Sequence, residues 1–192
     1  MRKVQRMEKH IAARPGIWLA AVTVATMLQA SGVQAQEFSQ ILSGYAIAPV
    51  HLNLKGKDWA LVGLGSYLVN TTGCNDCHTW PNWADGHNPY LPGQQPEQIN
   101  TAAYMAGGRP FGADAVNPKI QVVSANITPD KNGMPAGLTR SQFLHVMHTG
   151  DDPDDPTRKL KIMPWPLYRW KTDLDLIAIY EYLRAIPSIP AN

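Results

Sequence analysis

Cys74 and Cys77 are the only cysteines among 192 residues, and His78 directly follows the second. Two thiols cannot build a disulfide scaffold, nor a four-thiolate zinc or iron–sulfur site. The fold must therefore rest on an ordinary apolar core, or on a group that this short motif carries. An apolar content of 44% suits one globular domain, and 16 prolines with 15 glycines predict a loop-rich interior stretch. That composition excludes a disordered chain, collagen and coiled coil.

The first 35 residues read as an address. Arg2, Lys3, Arg6, Lys9 and Arg14 stand against Glu8, an apolar run follows from Ile17 to Leu28, and Val33 and Ala35 occupy the minus-three and minus-one positions of a small-residue cleavage site. A secretory signal peptide cleaved after Ala35 is expected, with export to the periplasm. The apolar run is broken by Thr23, Thr26 and Gln29 and falls short of the ~20 residues that cross a bilayer. Loss of five basic residues and one acid leaves 12 Lys+Arg against 14 Asp+Glu, a net charge of −2 over residues 36–192. Nucleic-acid binding needs a dense basic surface to neutralise phosphates, so that class is set aside.

Residues 36–57 read as a polar lead-in to a domain spanning 58–192. Asp58 is placed to cap a helix through Trp59, Leu61, Val62, Leu64, Tyr67, Leu68 and Val69. Gly63 and Gly65 lie inside it, where each lowers helix stability by about 1 kcal/mol relative to alanine, so their use is the close approach of another element. Residues 79–135 are rich in Pro, Gly and Asn, with a short helix expected over Ile99–Ala106 and a strand over Ile120–Ser124. Thr139 and Gln142 have capping-box spacing ahead of a helix that Gly150 stops, and Thr172 caps a terminal helix running to Ile186 before Pro187. The expected fold class is all-α, with helices around a bound group and a long irregular insertion holding a short hairpin.

Cys74-Asn75-Asp76-Cys77-His78 is the attachment pattern of c-type haem. Each thiol can add to one vinyl group at the porphyrin edge, and the adjoining imidazole reaches the iron from one side. A redox dithiol would want alternating strands and helices around it, and zinc would want two further ligands. For the second axial position the chain offers Met105, Met134, Met147, Met163, His51, His87, His145 and His148. Met163 is the best of these, because Leu160-Lys161-Ile162-Met163-Pro164-Trp165-Pro166 is an irregular, proline-bounded segment able to present a side chain to a flat ligand. Closing the 85 positions from His78 to Met163 costs about 4 kcal/mol plus a constant, so docking of the terminal helix on the glycine-bearing helix must deliver the methionine. Trp80, Trp83, Trp165 and Trp170 are candidates for an apolar crevice. A proline carbonyl, from Pro81, Pro89 or Pro92, is expected to orient the His78 ring. Arg158, Lys159, Lys161, Arg169 and Lys171 are candidates for a basic ring that steers an acidic partner.

Tyr67-Leu68, the Cys74–His78 motif, Gly107-Gly108-Arg109-Pro110-Phe111, Asn126-Ile127-Thr128-Pro129-Asp130, Met163-Pro164-Trp165-Pro166 and Ile179-Tyr180-Glu181-Tyr182-Leu183 together resemble a class I c-type cytochrome. More narrowly, they resemble the haem modules in cytochrome c subunits of periplasmic alcohol-type dehydrogenases, over residues 58–187. Such subunits commonly carry three modules and a membrane anchor; this sequence holds one module. The resemblance implies one covalently attached haem c, with Cys74 and Cys77 as anchors and His78 and Met163 as axial ligands. It implies an electron carrier, not an enzyme, serving a redox partner such as a periplasmic dehydrogenase or a terminal oxidase of the respiratory chain. The rival expectation is a haem enzyme or small-ligand sensor in which Met163 is displaceable.

Overall fold

The computed structural model describes residues 32, 34–113, 119 and 121–190. The export signal expected over 1–35 falls almost wholly outside the described residues. The body described below is the compact unit Phe38–Asn192. Among the described residues no helix is long and apolar enough to cross a membrane. The fold is mainly α, with one small two-stranded sheet among the described residues.

Residues 34–47 are helical and form α1. It occupies part of the stretch that the sequence reads as a polar lead-in, 36–57, where no helix is expected. Phe38, Ile41, Leu42 and Tyr45 follow the i, i+3, i+4, i+7 spacing of one helix face. Ile41 is buried in the core, and the Tyr45 hydroxyl donates to the Trp59 carbonyl at 2.8 Å. The helix α2, Trp59–Thr71, begins as the sequence predicts, with the Asp58 carboxylate accepting from the amides of Ala60 and Leu61. α3 is the single turn Cys74–His78.

The long insertion is extended and turn-rich. The helix expected over Ile99–Ala106 is only a 3₁₀ turn, Thr101–Ala103. Ile99 is drawn into a bridge with Trp83, and the Met105 amide donates to Thr79 Oγ1, so the ends of the segment follow their partners and not a helical path. Strand β1, Pro110–Ala113, pairs antiparallel with β2, Gln121–Val123, with an irregular register between Pro110↔Val123 and Ala113↔Gln121. This is the expected hairpin. α4, Arg140–Thr149, carries the Thr139/Gln142 capping box and stops at Gly150 in the left-handed region. After α5, Trp165–Tyr168, comes α6, Asp173–Leu183, opened by a reciprocal Thr172/Asp175 cap. α6 ends at Leu183, and the amides of Ala185 and Ile186 close a last turn on the Tyr182 carbonyl ahead of Pro187.

α1, α2 and α6 meet at close glycine contacts. A Cβ on Gly44 would lie 1.9 Å from the Gly63 carbonyl oxygen, and one on Gly65 would lie 1.9 Å from that of Ala178. Gly63 itself faces Ile41 and Tyr45 side-chain atoms at 2.7 Å from such a Cβ. Beside this junction sits a buried polar cluster: Tyr104 Oη donates to Asn70 Oδ1 at 2.7 Å, meets Tyr182 Oη at 2.7 Å, and Ser66 Oγ donates to the Gly44 carbonyl at 2.7 Å. Burial raises both tyrosine hydroxyls above their ordinary pKa, so they remain neutral hydrogen-bonding groups.

Replacing Gly65 with alanine sets two effects against each other. Helix propensity favours alanine by about 1 kcal/mol. The 1.9 Å approach to a backbone oxygen cannot be relieved by a side-chain rotation, and overpacking of this kind costs about 1–3 kcal/mol or more. The expected result is net destabilisation, read as a lower urea midpoint at unchanged m-value. An equal or higher midpoint would show that α2 and α6 are not held in backbone contact here.

Candidate functional site

Gly73, at φ +80°, turns the chain from α2 into α3. On that helical turn Cys74, Cys77 and His78 stand at i, i+3 and i+4, which places all three on one face. That face looks into an apolar cavity of about 250 Å³. Met163 lines the same cavity from the opposite end of the sequence, so the four residues singled out by motif come together. The remaining wall is mostly aliphatic and aromatic, with Phe111 and Val122 from the hairpin, Phe143 and Met147 from α4, Ile179 and Leu183 from α6, and Tyr168 from α5, while Ser124 and Lys161 add polar groups. Both cysteines are free thiols, and burial pushes the Cys74 thiol up from its ordinary pKa, with the Thr72 hydroxyl opposing.

His78 Nδ1 lies 2.8 Å from the carbonyl oxygen of Ala125. A carbonyl can only accept, so Nδ1 carries the proton and the neutral ring keeps a lone pair on Nε2. Burial lowers the His78 pKa, outweighing the opposing bond to Ala125, and favours that neutral form. The orienting carbonyl is thus Ala125 and not a proline after the motif. The reason is topological: Gly107 bonds back to the His78 carbonyl at 2.8 Å, and Gly108 bonds to Ser124 at 3.0 Å, which stacks residues 107–108 between the motif and residues 124–125. Gly107, at φ +72°, has no room for a Cβ, which would meet Ala125 backbone atoms at 2.5 Å. No side-chain pattern marks a backbone oxygen 47 residues away as the partner of a histidine.

The Met163 segment is held at both ends. The Leu160 amide donates to the Gly150 carbonyl at 2.8 Å, and the Trp165 indole donates to the Leu160 carbonyl at 3.1 Å while its ring fills the space a Gly150 Cβ would need. Beyond it, Tyr168 Oη donates to the carbonyl of Thr72, two residues before Cys74, at 3.1 Å. Burial raises the Tyr168 hydroxyl to about 12, so it stays protonated and able to donate.

Of the other candidate ligands, only Met147 also lines the cavity. His145 Nε2 pairs with Asp151 at 2.8 Å, His148 with Asp173 at 2.9 Å, and His87 Nδ1 donates to the Pro96 carbonyl. Among the described residues no three His, Cys, Asp or Glu side chains gather as a bare-ion site. The four tryptophans proposed as a crevice do not line the cavity. Trp80 and Trp170 are exposed, and Trp83 meets Tyr90 edge-on. The basic ring is also largely committed within the chain: Arg158 pairs with Asp152 and Asp155, and Lys159 with Asp151. Arg169 lies over Trp165 and Trp170, and Lys171 over Tyr168.

No protein-family model matches the chain, and neither a curated protein nor a solved structure does.

Asp151 ties this region to α4 through Lys159 and His145. Its hydrogen bond from Lys159, with Thr149 and His145 adding to it, holds its carboxylate at about 2, below the ordinary 3.8. A carboxylate depressed on folding contributes stability above its unfolded pKa and loses it as pH falls through the folded one. The window is therefore pH 3.8 down to about 2. Acidification through it is expected to loosen the Trp165 indole N–H, followed by NMR, while Asp151→Asn is expected to be loose already at neutral pH and flat across the window. Parallel acid responses in both proteins would remove Asp151 as the cause.

Proposed function

We propose that this chain is a mono-haem c-type cytochrome of the periplasm that carries single electrons from a dehydrogenase-type donor to a respiratory acceptor, alone or as the electron-accepting subunit of a complex. The observation that supports it most directly is the convergence of Cys74, Cys77, His78 and Met163 on one apolar cavity, although 85 positions separate the histidine from the methionine.

The donor set fits the group. Cys74 and Cys77 share one helix face, the spacing that two thioether links to one porphyrin edge require. His78 holds its proton on Nδ1 and so offers Nε2 to a metal. Met163, held by its flanking bonds, lines the same cavity and would supply the iron's other protein donor. When bound, the haem provides a one-electron couple, raised in potential by a methionine opposite a histidine. Phe111, Phe143, Ile179 and Leu183 exclude water from the cavity and thereby disfavour the extra positive charge of the oxidised state. Were His78 and Met163 both to hold the iron, no position would be left for a substrate, which is why a carrier is preferred to an enzyme.

The test starts with colour. Protein produced with a haem-maturation system is expected to be red and to keep its haem through denaturation. Met163→Ala is expected to retain the haem, lower the midpoint potential and bind carbon monoxide in the reduced state, whereas Met147→Leu leaves all three unchanged. Colourless wild-type protein overturns the proposal. Rapid carbon monoxide binding by wild-type protein would replace the carrier with a sensor or enzyme whose Met163 is displaceable, and an unaltered Met163→Ala spectrum would move the ligand elsewhere.

A further inference from the structure

We propose that Asn126 is a positioning residue for His78: it locks the Ala125 carbonyl onto the imidazole by fastening residues 126–128 to the C-terminal tail at Ile189. The inference rests on the reading of His78 as an iron ligand and deepens it.

Three peptide groups around Ala125 have other partners. The Ser124 amide donates to the Arg109 carbonyl at 3.0 Å, the Ser124 carbonyl accepts from Gly108 at 3.0 Å, and the Ile127 amide donates to the Met105 carbonyl at 2.9 Å. These bonds fix where the strand lies. They leave the peptide plane between residues 125 and 126, which carries the critical oxygen, to be set by what holds Asn126. Its Oδ1 accepts from the Thr128 amide at 2.9 Å and from the Thr128 hydroxyl at 2.7 Å, closing a tight local turn. Its Nδ2 donates to the Ile189 carbonyl at 2.8 Å, and the Ile189 amide donates back to Thr128 Oγ1 at 3.2 Å. Thr128 is 4% exposed, so these bonds have little competition from water. The tail, 63 residues beyond Asn126, thereby acts as a strap on the loop that orients the ring.

Loss of the latch frees the 125–126 peptide to rotate. The Nδ1 proton then loses its acceptor, the alternative tautomer becomes available, and the imidazole becomes a weaker donor through Nε2. Two routes reach the same state. Asn126→Ala removes the side-chain amide, and a chain ending at Pro187 removes its partner.

Both variants, prepared as haem-loaded protein, are expected to exchange the His78 Nδ1 proton about tenfold faster, the effect of losing one well-made hydrogen bond, and to show a raised midpoint potential because a less basic imidazole stabilises the oxidised state less. Combined, they should give little more than either alone, since both cut one connection. Arg140→Gln, which removes an ion pair to Glu181, serves as a control for general loosening and should leave ring exchange and potential unaltered. If Asn126→Ala fails to fold, the shortened chain carries the test. Wild-type ring exchange and potential in a red, folded variant would overturn the latch, as would a control that shifts them equally. A colourless wild-type protein overturns the haem reading instead, a separately recognisable result.

Discussion

The approach of α6 to α2 at Gly65 is the constraint on which the remaining structure depends. Helix axes brought this near leave no room for a side chain between the backbone of α2 and the Ala178 carbonyl. α2 runs directly into Gly73 and the Cys74–His78 turn, and α6 is preceded by the segment bearing Met163. Fixing one helix on the other therefore fixes the two halves of the cavity. The roughly 4 kcal/mol of loop closure between His78 and Met163 is met by this core and by the Tyr168–Thr72 bond. α1 repeats the device on the other side of α2, where Gly44 meets the Gly63 carbonyl, so α2 carries a helix against each of two faces.

Polar and apolar labour are divided across α2. Ser66 and Asn70 belong to the buried cluster with Tyr104 and Tyr182, where each hydroxyl or amide has a partner. Val69, one residue from Asn70 and about 100° around the helix, faces the cavity. The apolar wall can stay dry because the polar groups of the same helix are satisfied elsewhere. Glu181 is similarly settled: nearly buried, it receives Arg140 and Arg184 on the side of α6 away from the cavity-lining Ile179 and Leu183.

What the sequence made legible follows from the range of the interactions concerned. The caps at Asp58, Thr139 and Thr172 depend on residues two or three positions apart, and all form as the spacing predicts. The cysteines and His78 share one turn, and the proline-bounded Met163 segment declares itself by composition. α1 carried a legible signal, Phe38, Ile41, Leu42 and Tyr45 at helical spacing, which the polar residues between them obscured. The 3₁₀ turn at Thr101–Ala103 was illegible, because the partners that stretch it, Trp83 and Thr79, are fixed only by tertiary structure. The Ala125 carbonyl was equally hidden, since a backbone oxygen has no residue type. Its neighbourhood was visible in Gly107-Gly108 and in Asn126-Ile127-Thr128, but as motifs without a stated purpose.

The charged residues beside Met163 illustrate how a sequence pattern changes meaning on folding. Read linearly, five basic residues from Arg158 to Lys171 form a patch and four aspartates from Asp151 to Asp155 lie apart from it. In the structure Asp151 bridges to Lys159, and the Asp152 amide bonds the Arg158 carbonyl, so the acids and bases are opposite strands of one loop. Oppositely charged groups in salt-bridge contact project little field beyond a Debye length, about 8 Å at physiological ionic strength. Arg158 and Lys159 therefore serve the loop's own shape and cannot act as long-range attractors. Beside them Ile162, Leu167 and Trp170 present large apolar surfaces to solvent, with Trp170 79% exposed. The surface next to Met163 thus combines aliphatic and indole area with the charges of Arg169 and Lys171, which lie over aromatic rings and are not neutralised by them.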